Sequence, residues 1–167
     1  MLDTLTRYLS QIANKTEAYA LYLVLSAMAD RLSSQAVTSA GLVINGVAAL
    51  FPKIGATAFY AFAKGIPVTL AAGAALPAPA ATVTFTTGQF IIVGYFIDSF
   101  GTITQAQGNV GATLGAAGFP VVPVGKALIG FLIITYAGTF IGGTTALDTA
   151  TTVYISPIGA FDPTVLV

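Results

Sequence analysis

From Gly65 to Ile97 no residue carries a charge, and none does from Ser99 to Gly125 or from Ala127 to Leu147. Asp98 and Lys126 are the only interruptions of that whole span. Runs this apolar must be hidden from water, by lipid, by the rest of the fold or by other chains. The sharpest case is GFLIITYAGTFIGGTTAL, residues 130–147, which Ala127, Leu128 and Ile129 extend back to Lys126. A membrane-crossing helix needs about 20 apolar residues, preferably good helix formers. Residues 127–147 reach that length but hold four Gly and four Thr. Cut at Ala137-Gly138, the stretch reads instead as a long strand, a tight turn and a shorter strand. Its twin, FIIVGYFIDSFGTIT at 90–104, carries Asp98 in the middle, where lipid would penalise it. FIIVGYFI and ALIGFLII do not alternate apolar with polar residues as a lipid-facing barrel strand does. The pattern predicts strands buried on both faces.

The two stretches also form a weak internal repeat. GYFIDSFGTIT (94–104) and GFLIITYAGTFI (130–141) share a Gly, an aromatic, two apolar residues, a second aromatic and Gly-Thr. The first reads as a hairpin turning at Asp98-Ser99-Phe100-Gly101, the second as a matching hairpin turning at Ala137-Gly138. Between them, GFPVVPVGK (118–126) has prolines at 120 and 123 and reads as an extended edge or loop. Upstream, GLVING (41–46), TAFYAF (57–62), IPVTL (66–70) and ATVTF (81–85) are short strand-like runs, mostly bounded by Gly, Pro or Asn. AAGAALPAPAA (71–81) reads as a loop, because its prolines rule out a helix interior.

The first part of the chain differs. Asn14-Lys15-Thr16-Glu17 has the form of a capping box. After it Ala18, Leu21, Leu25, Met28 and Leu32 recur at spacings of three and four, one stripe on a helix. Leu2, Leu5, Leu9 and Ile12 form a similar stripe whose register does not join the first across Asn14. The fold class expected is α+β, mainly β. A helical segment over 1–37 precedes an antiparallel β-sandwich or jelly-roll-like domain over 38–167. The stripe packs either on its own domain or in a short helix bundle between subunits. Leu21, Leu25, Met28 and Leu32 are the candidate subunit contacts.

Composition narrows the function classes. Charged residues make up 7% of the chain, against roughly 25% in an ordinary soluble domain. The six Lys/Arg and six Asp/Glu are dispersed, so no basic patch points to nucleic acid. His is absent, which removes the commonest general base and metal ligand, and the absence of Cys removes thiolate chemistry. VGKAL around Lys126 fails as a phosphate loop, since Pro120 and Ala127 stand where Gly and Ser or Thr are required. Asp148 and Asp162 could meet Ca²⁺ with loop carbonyls, but such residues more often cap turns. No catalytic, cofactor or metal site is assigned, and an enzyme is not expected. The N-terminal MLDTLTRYLSQIANKTE is too interrupted by charge for a signal peptide.

IDSFGTIT, the PVVPVGKALIGFLII block and TFIGGTTALDTATTVYISPIGAFDP together resemble a recurrent module of virion structural proteins from tailed bacteriophages. The resemblance covers residues 85–165, with GGTTALD (142–148) and GAFDP (159–163) as its most specific parts. It implies a building block located on the virion, a capsid decoration (cement) protein or short head fibre, with a homotrimer favoured. Its partners would be its own copies and the major capsid or other virion proteins, rather than nucleic acid or a membrane. The alternatives are a tail or tail-fibre component and, from another class, a membrane-embedded protein. A pilin-like filament subunit would want a longer helix, free of the charges at Asp3, Arg7, Lys15 and Glu17.

Overall fold

The computed structural model describes residues 15–161. The proposed Asn14 cap and the Leu2–Ile12 stripe lie outside that range, as does Asp162. Helix α1 (Lys15–Ser33) comes first. It contains neither Gly nor Pro and is rich in Ala and Leu, which favour helix. Glu17 in its first turn and Arg31 in its last complement the helix dipole. At its end the N–H of Gly65 donates to the Ser33 carbonyl at 2.8 Å, and the Lys64 N–H donates to Ser34 Oγ at 3.0 Å.

Eleven strands and one short helix follow among the described residues. They are β1 (Gln35–Ala36), β2 (Val43–Ile44), β3 (Pro52–Lys53), β4 (Phe59–Ala63), β5 (Ile66–Leu70) and β6 (Thr84–Phe85). Then come β7 (Phe90–Ile97), β8 (Ile103–Gln107), α2 (Leu114–Ala117), β9 (Ala127–Thr135), β10 (Phe140–Ile141) and β11 (Thr151–Ile155). Every pairing is antiparallel. The main sheet has the order β11-β9-β7-β8 and the second sheet β1-β4-β5, while β10-β6 and β2-β3 are two-stranded. The chain is therefore mainly β within the α+β class, with β1 already inside the segment that sequence assigned to the helix.

The apolar runs become β7 and β9, neighbours at the centre of the main sheet. On one face Ile91, Val93, Tyr95 and Ile97 join Ile129, Leu132 and Ile134 in a core shared with Phe59, Ala61 and Ala63 of β4. This two-sheet stack is the sandwich alternative of the sequence reading. On the other face Ile92, Phe96, Leu128 and Phe131 are covered by Ala117 of α2, Phe119, Val122 and Phe161. Phe119, Phe131 and Phe161 form a ring cluster with centroids 5.1 to 5.2 Å apart. Both faces are buried, which is why neither run alternates.

A bulge sets the registration. Tyr95 pairs with Gly130 and Phe96 with Leu128, so Ile129 is an extra residue in β9. The insertion keeps Ile129 in the same core as Leu132 and Ile134, where strict alternation would send it to the opposite face. Gly130 is required beside it. A Cβ there would lie 2.5 Å from the Ile155 carbonyl oxygen and 2.7 Å from Leu42 Cδ1.

The first predicted hairpin forms as read, β7 turning into β8. The second does not. After β9 the chain turns, but β10 pairs with β6, placing Phe140 opposite Phe85 with their rings stacked at 5.1 Å. The reason is edge occupancy: β7 and β11 take both sides of β9, leaving it no free edge for β10. The repeat thus supplies two adjacent central strands rather than two hairpins.

Tyr95 is fully buried, and its hydroxyl has no hydrogen-bond partner among the described residues. Burial, and secondarily the neighbouring Tyr154, pushes its pKa above the usual tyrosine range. An unpaired buried hydroxyl opposes folding. Tyr95→Phe is therefore expected to leave stability unchanged or raise it by up to about 1 kcal/mol in urea unfolding. A loss of that size would mean that the hydroxyl has a partner.

Candidate functional site

Polar chemistry is sparse, and the described carboxylates have structural partners or solvent. Asp98 Oδ1 accepts the Phe100 and Thr102 N–H groups, both at 2.9 Å, and closes the β7–β8 turn. Asp98 Oδ2 lies 4.0 Å from Lys126 Nζ, which also donates to Thr104 Oγ1 at 3.0 Å. The two charges that interrupt the apolar span thus meet each other at one end of the main sheet. Asp148 Oδ2 accepts the Ala48 N–H at 2.7 Å, capping a loop rather than facing a ligand. Asp30 Oδ2 accepts the Gly125 N–H at 3.0 Å, and Glu17 is exposed on α1. Among the described residues no three His, Cys, Asp or Glu side chains gather as metal ligands.

The two motifs that carried the phage resemblance are built for turns. Gly143 has φ +68°, and a Cβ at Gly142 would collide with the carbonyl oxygens of Pro79 and Ala80. Thr145 Oγ1 accepts the Ile141 N–H at 3.0 Å, while Leu147 is buried and donates its N–H to the Ala49 carbonyl. Gly159, with φ +80°, donates its N–H to the Ala36 carbonyl at 2.8 Å and leads Phe161 into the ring cluster.

What stands out is apolar surface. No residue of α1 whose side chain is described is fully buried. Leu21, Met28 and Leu32 are 45%, 54% and 62% exposed, and Leu25 is half-buried. Tyr19, Tyr22, Leu23 and Val24 are exposed as well. At 100° per residue, Leu21, Leu25, Met28 and Leu32 fall within roughly 60° of one another around the axis. Leu23, Ser26, Ala27 and Asp30 are centred roughly 180° away from them. It is this second set that faces the chain's own domain, across an open groove of about 720 Å³ completed by Phe119, Pro120, Val121, Val122 and Val124. The four predicted contact residues therefore share one face, and that face is turned away from the β domain.

Sequence reasoning missed a second group. Val121 and Val124 are 86% and 81% exposed in the loop beside α1, and Phe100 is 92% exposed at the tip of the β7–β8 turn. The Asp98–Lys126 pair and the Gly125–Asp30 hydrogen bond tie these loops to the same end of the molecule. The sequence placed Phe100 in a turn and Val121 and Val124 in an edge or loop, but local pattern does not say which side chain such a segment leaves exposed. Among the described residues no helix is long and apolar enough to cross a membrane. Compared with known proteins, the chain matches no family model, no curated protein and no solved structure.

The Thr102 N–H above all, then the Phe100 N–H and Lys126, hold the Asp98 carboxyl below its usual pKa against a smaller opposing effect of burial. A lowered folded-state pKa stabilises the fold above the ordinary carboxylate pKa of about 4, and that contribution fades as pH falls through it and below. Asp98→Asn should therefore be less stable than the wild type at neutral pH, with the gap closing in acid. Denaturant unfolding at a series of pH values checks this; a gap independent of pH would remove the charge from the account.

Proposed function

We propose that the chain is a non-enzymatic structural subunit of a tailed-bacteriophage virion, a capsid decoration or cement protein that works in a permanent assembly. The observation that carries the reading is the apolar face of α1, exposed and turned away from its own domain. A stripe of Leu and Met left in water weakens solubility, whereas the same stripe between subunits contributes roughly 25 cal/mol for each Å² it buries. Obligate interfaces bury 2,000 Å² or more and resemble a domain core cut in half. The carboxylates support the same reading, since Asp30, Asp98 and Asp148 each hold a loop in place.

In this role the β domain is a rigid body and the mechanism is adhesion. Copies associate through α1 as a homo-oligomer, for which the phage resemblance implies a trimer. The apolar loop tips at Phe100, Val121 and Val124 are available to the major capsid or another virion protein. No step of the mechanism calls for a cofactor.

The test is to purify virus particles from a host culture producing this chain, quantify their proteins by mass spectrometry and label them with an antibody against the β domain. The expected result is a copy number that is a fixed multiple of the shell subunit, with label on the head. Label confined to the tail would replace the decoration role by a tail component. Absence from particles would overturn the virion reading altogether.

A further inference from the structure

The main sheet ends at β8, which pairs with β7 and with no other strand among the described residues. The bonding pairs are fixed at both ends of that ladder. The Gly108 N–H donates to the Ile92 carbonyl at 2.8 Å, and the Asp98 N–H donates to the Thr102 carbonyl at 3.1 Å. The register between them is unbroken, so Thr104 and Ala106 also turn their N–H and C=O groups to β7. Ile103, Gln105 and Gln107 turn theirs the other way, off the edge of the sheet. Among the described residues no backbone group bonds to these three on that side. Natural proteins blunt such edges with Pro, charge or a covering segment. β5, at one end of the second sheet, contains Pro67, which has no N–H to offer. β11 runs out against Ser39 and Leu42, which are both bonded to Ser156. ITQAQ in β8 has neither Pro nor charge.

Beside this edge is a cavity of about 190 Å³ between β8 and residues 80–83, with Thr82, Gln105 and Gln107 on its walls. Gln105 stands opposite Tyr95 in the ladder, so its side chain lies on the face of the sheet that carries the larger core. Gln105 Nε2 donates to the Ala78 carbonyl at 2.9 Å, while its Oε1 is buried with no hydrogen-bond partner among the described residues. Gln107 Oε1 accepts from Thr82 Oγ1 at 3.4 Å, which leaves Gln107 Nε2 as a donor. The walls thus offer an acceptor and a donor, and they carry no Asp, Glu, Lys or Arg. That set complements a neutral carboxamide, which presents a donor and an acceptor side by side. A Lys or Arg placed there would bury a charge without a counter-charge.

We infer that the outer edge of β8 takes up an extended segment of a partner protein as a fifth strand of the main sheet, with an Asn or Gln side chain of that segment seated between Gln105 and Gln107. Main-chain hydrogen bonds to Ile103, Gln105 and Gln107 hold the segment, and the cavity selects its sequence. Cross-strand neighbours share a face, so the residue set against Gln105 sends its side chain to the cavity side of the sheet. A second copy of β8 is a poorer occupant. Centred on Gln105, it would bring two Oε1 acceptors together, since both Nε2 groups are engaged at Ala78. The site involves no residue of α1 and does not rest on the virion reading.

The probe is a displayed library of random peptides, about twelve residues long to span the five-residue edge with flanks, selected against the full chain. The readout is amide hydrogen exchange followed by NMR. In the free chain the amides of Ile103, Gln105 and Gln107 should exchange fast and those of Thr104 and Ala106 slowly. Selected peptides should carry Asn or Gln among residues of high strand propensity, and should slow the first three amides roughly tenfold or more. Replacing that Asn or Gln by Leu should weaken binding roughly tenfold to the wild-type chain and little to Gln105→Leu. Gln107→Pro removes an outward N–H and none of the bonds to β7, so it should keep the β7–β8 ladder and lose the peptide. Slow exchange of all five amides in the free chain would overturn the inference, because the edge would already be covered. If dilution then restored fast exchange, a second copy would be that cover. A selection yielding no peptide that slows these amides, or only peptides indifferent to the carboxamide, would overturn it as well.

Discussion

Burial of β7 and β9 on both faces is the constraint from which the rest of this structure follows. Their side chains offer almost nothing polar, so each face needs a cover of its own. The second sheet supplies one through Phe59, Ala61 and Ala63. A segment of little regular structure, with α2, Phe119, Val122 and Phe161, supplies the other. Neither cover is long, and each is tied down by backbone hydrogen bonds. Glycines stand where chains approach too closely for a Cβ, as at Gly130 and Gly142. Buried in this way, the backbone N–H and C=O groups of these strands must be paired, strand against strand and turn against turn.

The same economy governs its charges. Asp98 and Lys126, isolated in sequence, meet where the β7–β8 turn passes the start of β9. A partly exposed ion pair at 4.0 Å contributes little by itself. Its effect is positional, because it fixes the end of the sheet from which Phe100 projects. Lys126 follows Gly125, whose N–H holds Asp30 of α1, so turn, loop and helix form one connected end. Apolar residues that found no place in either core include Phe100, Val121 and Val124 at that end and much of α1, with others such as Val47 and Ile158 elsewhere on the surface. The molecule has two filled cores and leaves the apolar face of α1 exposed.

Much of this was legible from residue order. The absence of alternation in FIIVGYFI and ALIGFLII announced double-sided burial, and Asp98-Ser99-Phe100-Gly101 announced its turn. The four-three-four spacing in α1 placed Leu21, Leu25, Met28 and Leu32 on one face. What local pattern could not supply was partner choice. Ala137-Gly138 sits in a turn region, yet β10 goes to β6 because β9 has no edge left, a fact about strand order rather than about any tetrapeptide. The bulge at Ile129 was hidden for a similar reason, since its register depends on the Leu42 and Ile155 that press on Gly130. Nor could the stripe reveal whether it faced its own domain. That depended on Asp30 reaching Gly125, a contact between residues far apart in sequence.

The most direct measurement is the molar mass of the unmodified protein in detergent-free buffer, by size exclusion with light scattering. An apolar helix covered by its own copies predicts a single discrete species of three 16.9 kDa chains, stable on dilution. A monodisperse 16.9 kDa monomer would contradict the account, because the face of α1 would then be at home in water. Aggregation cured only by detergent would contradict it too, and would make lipid the partner of that face.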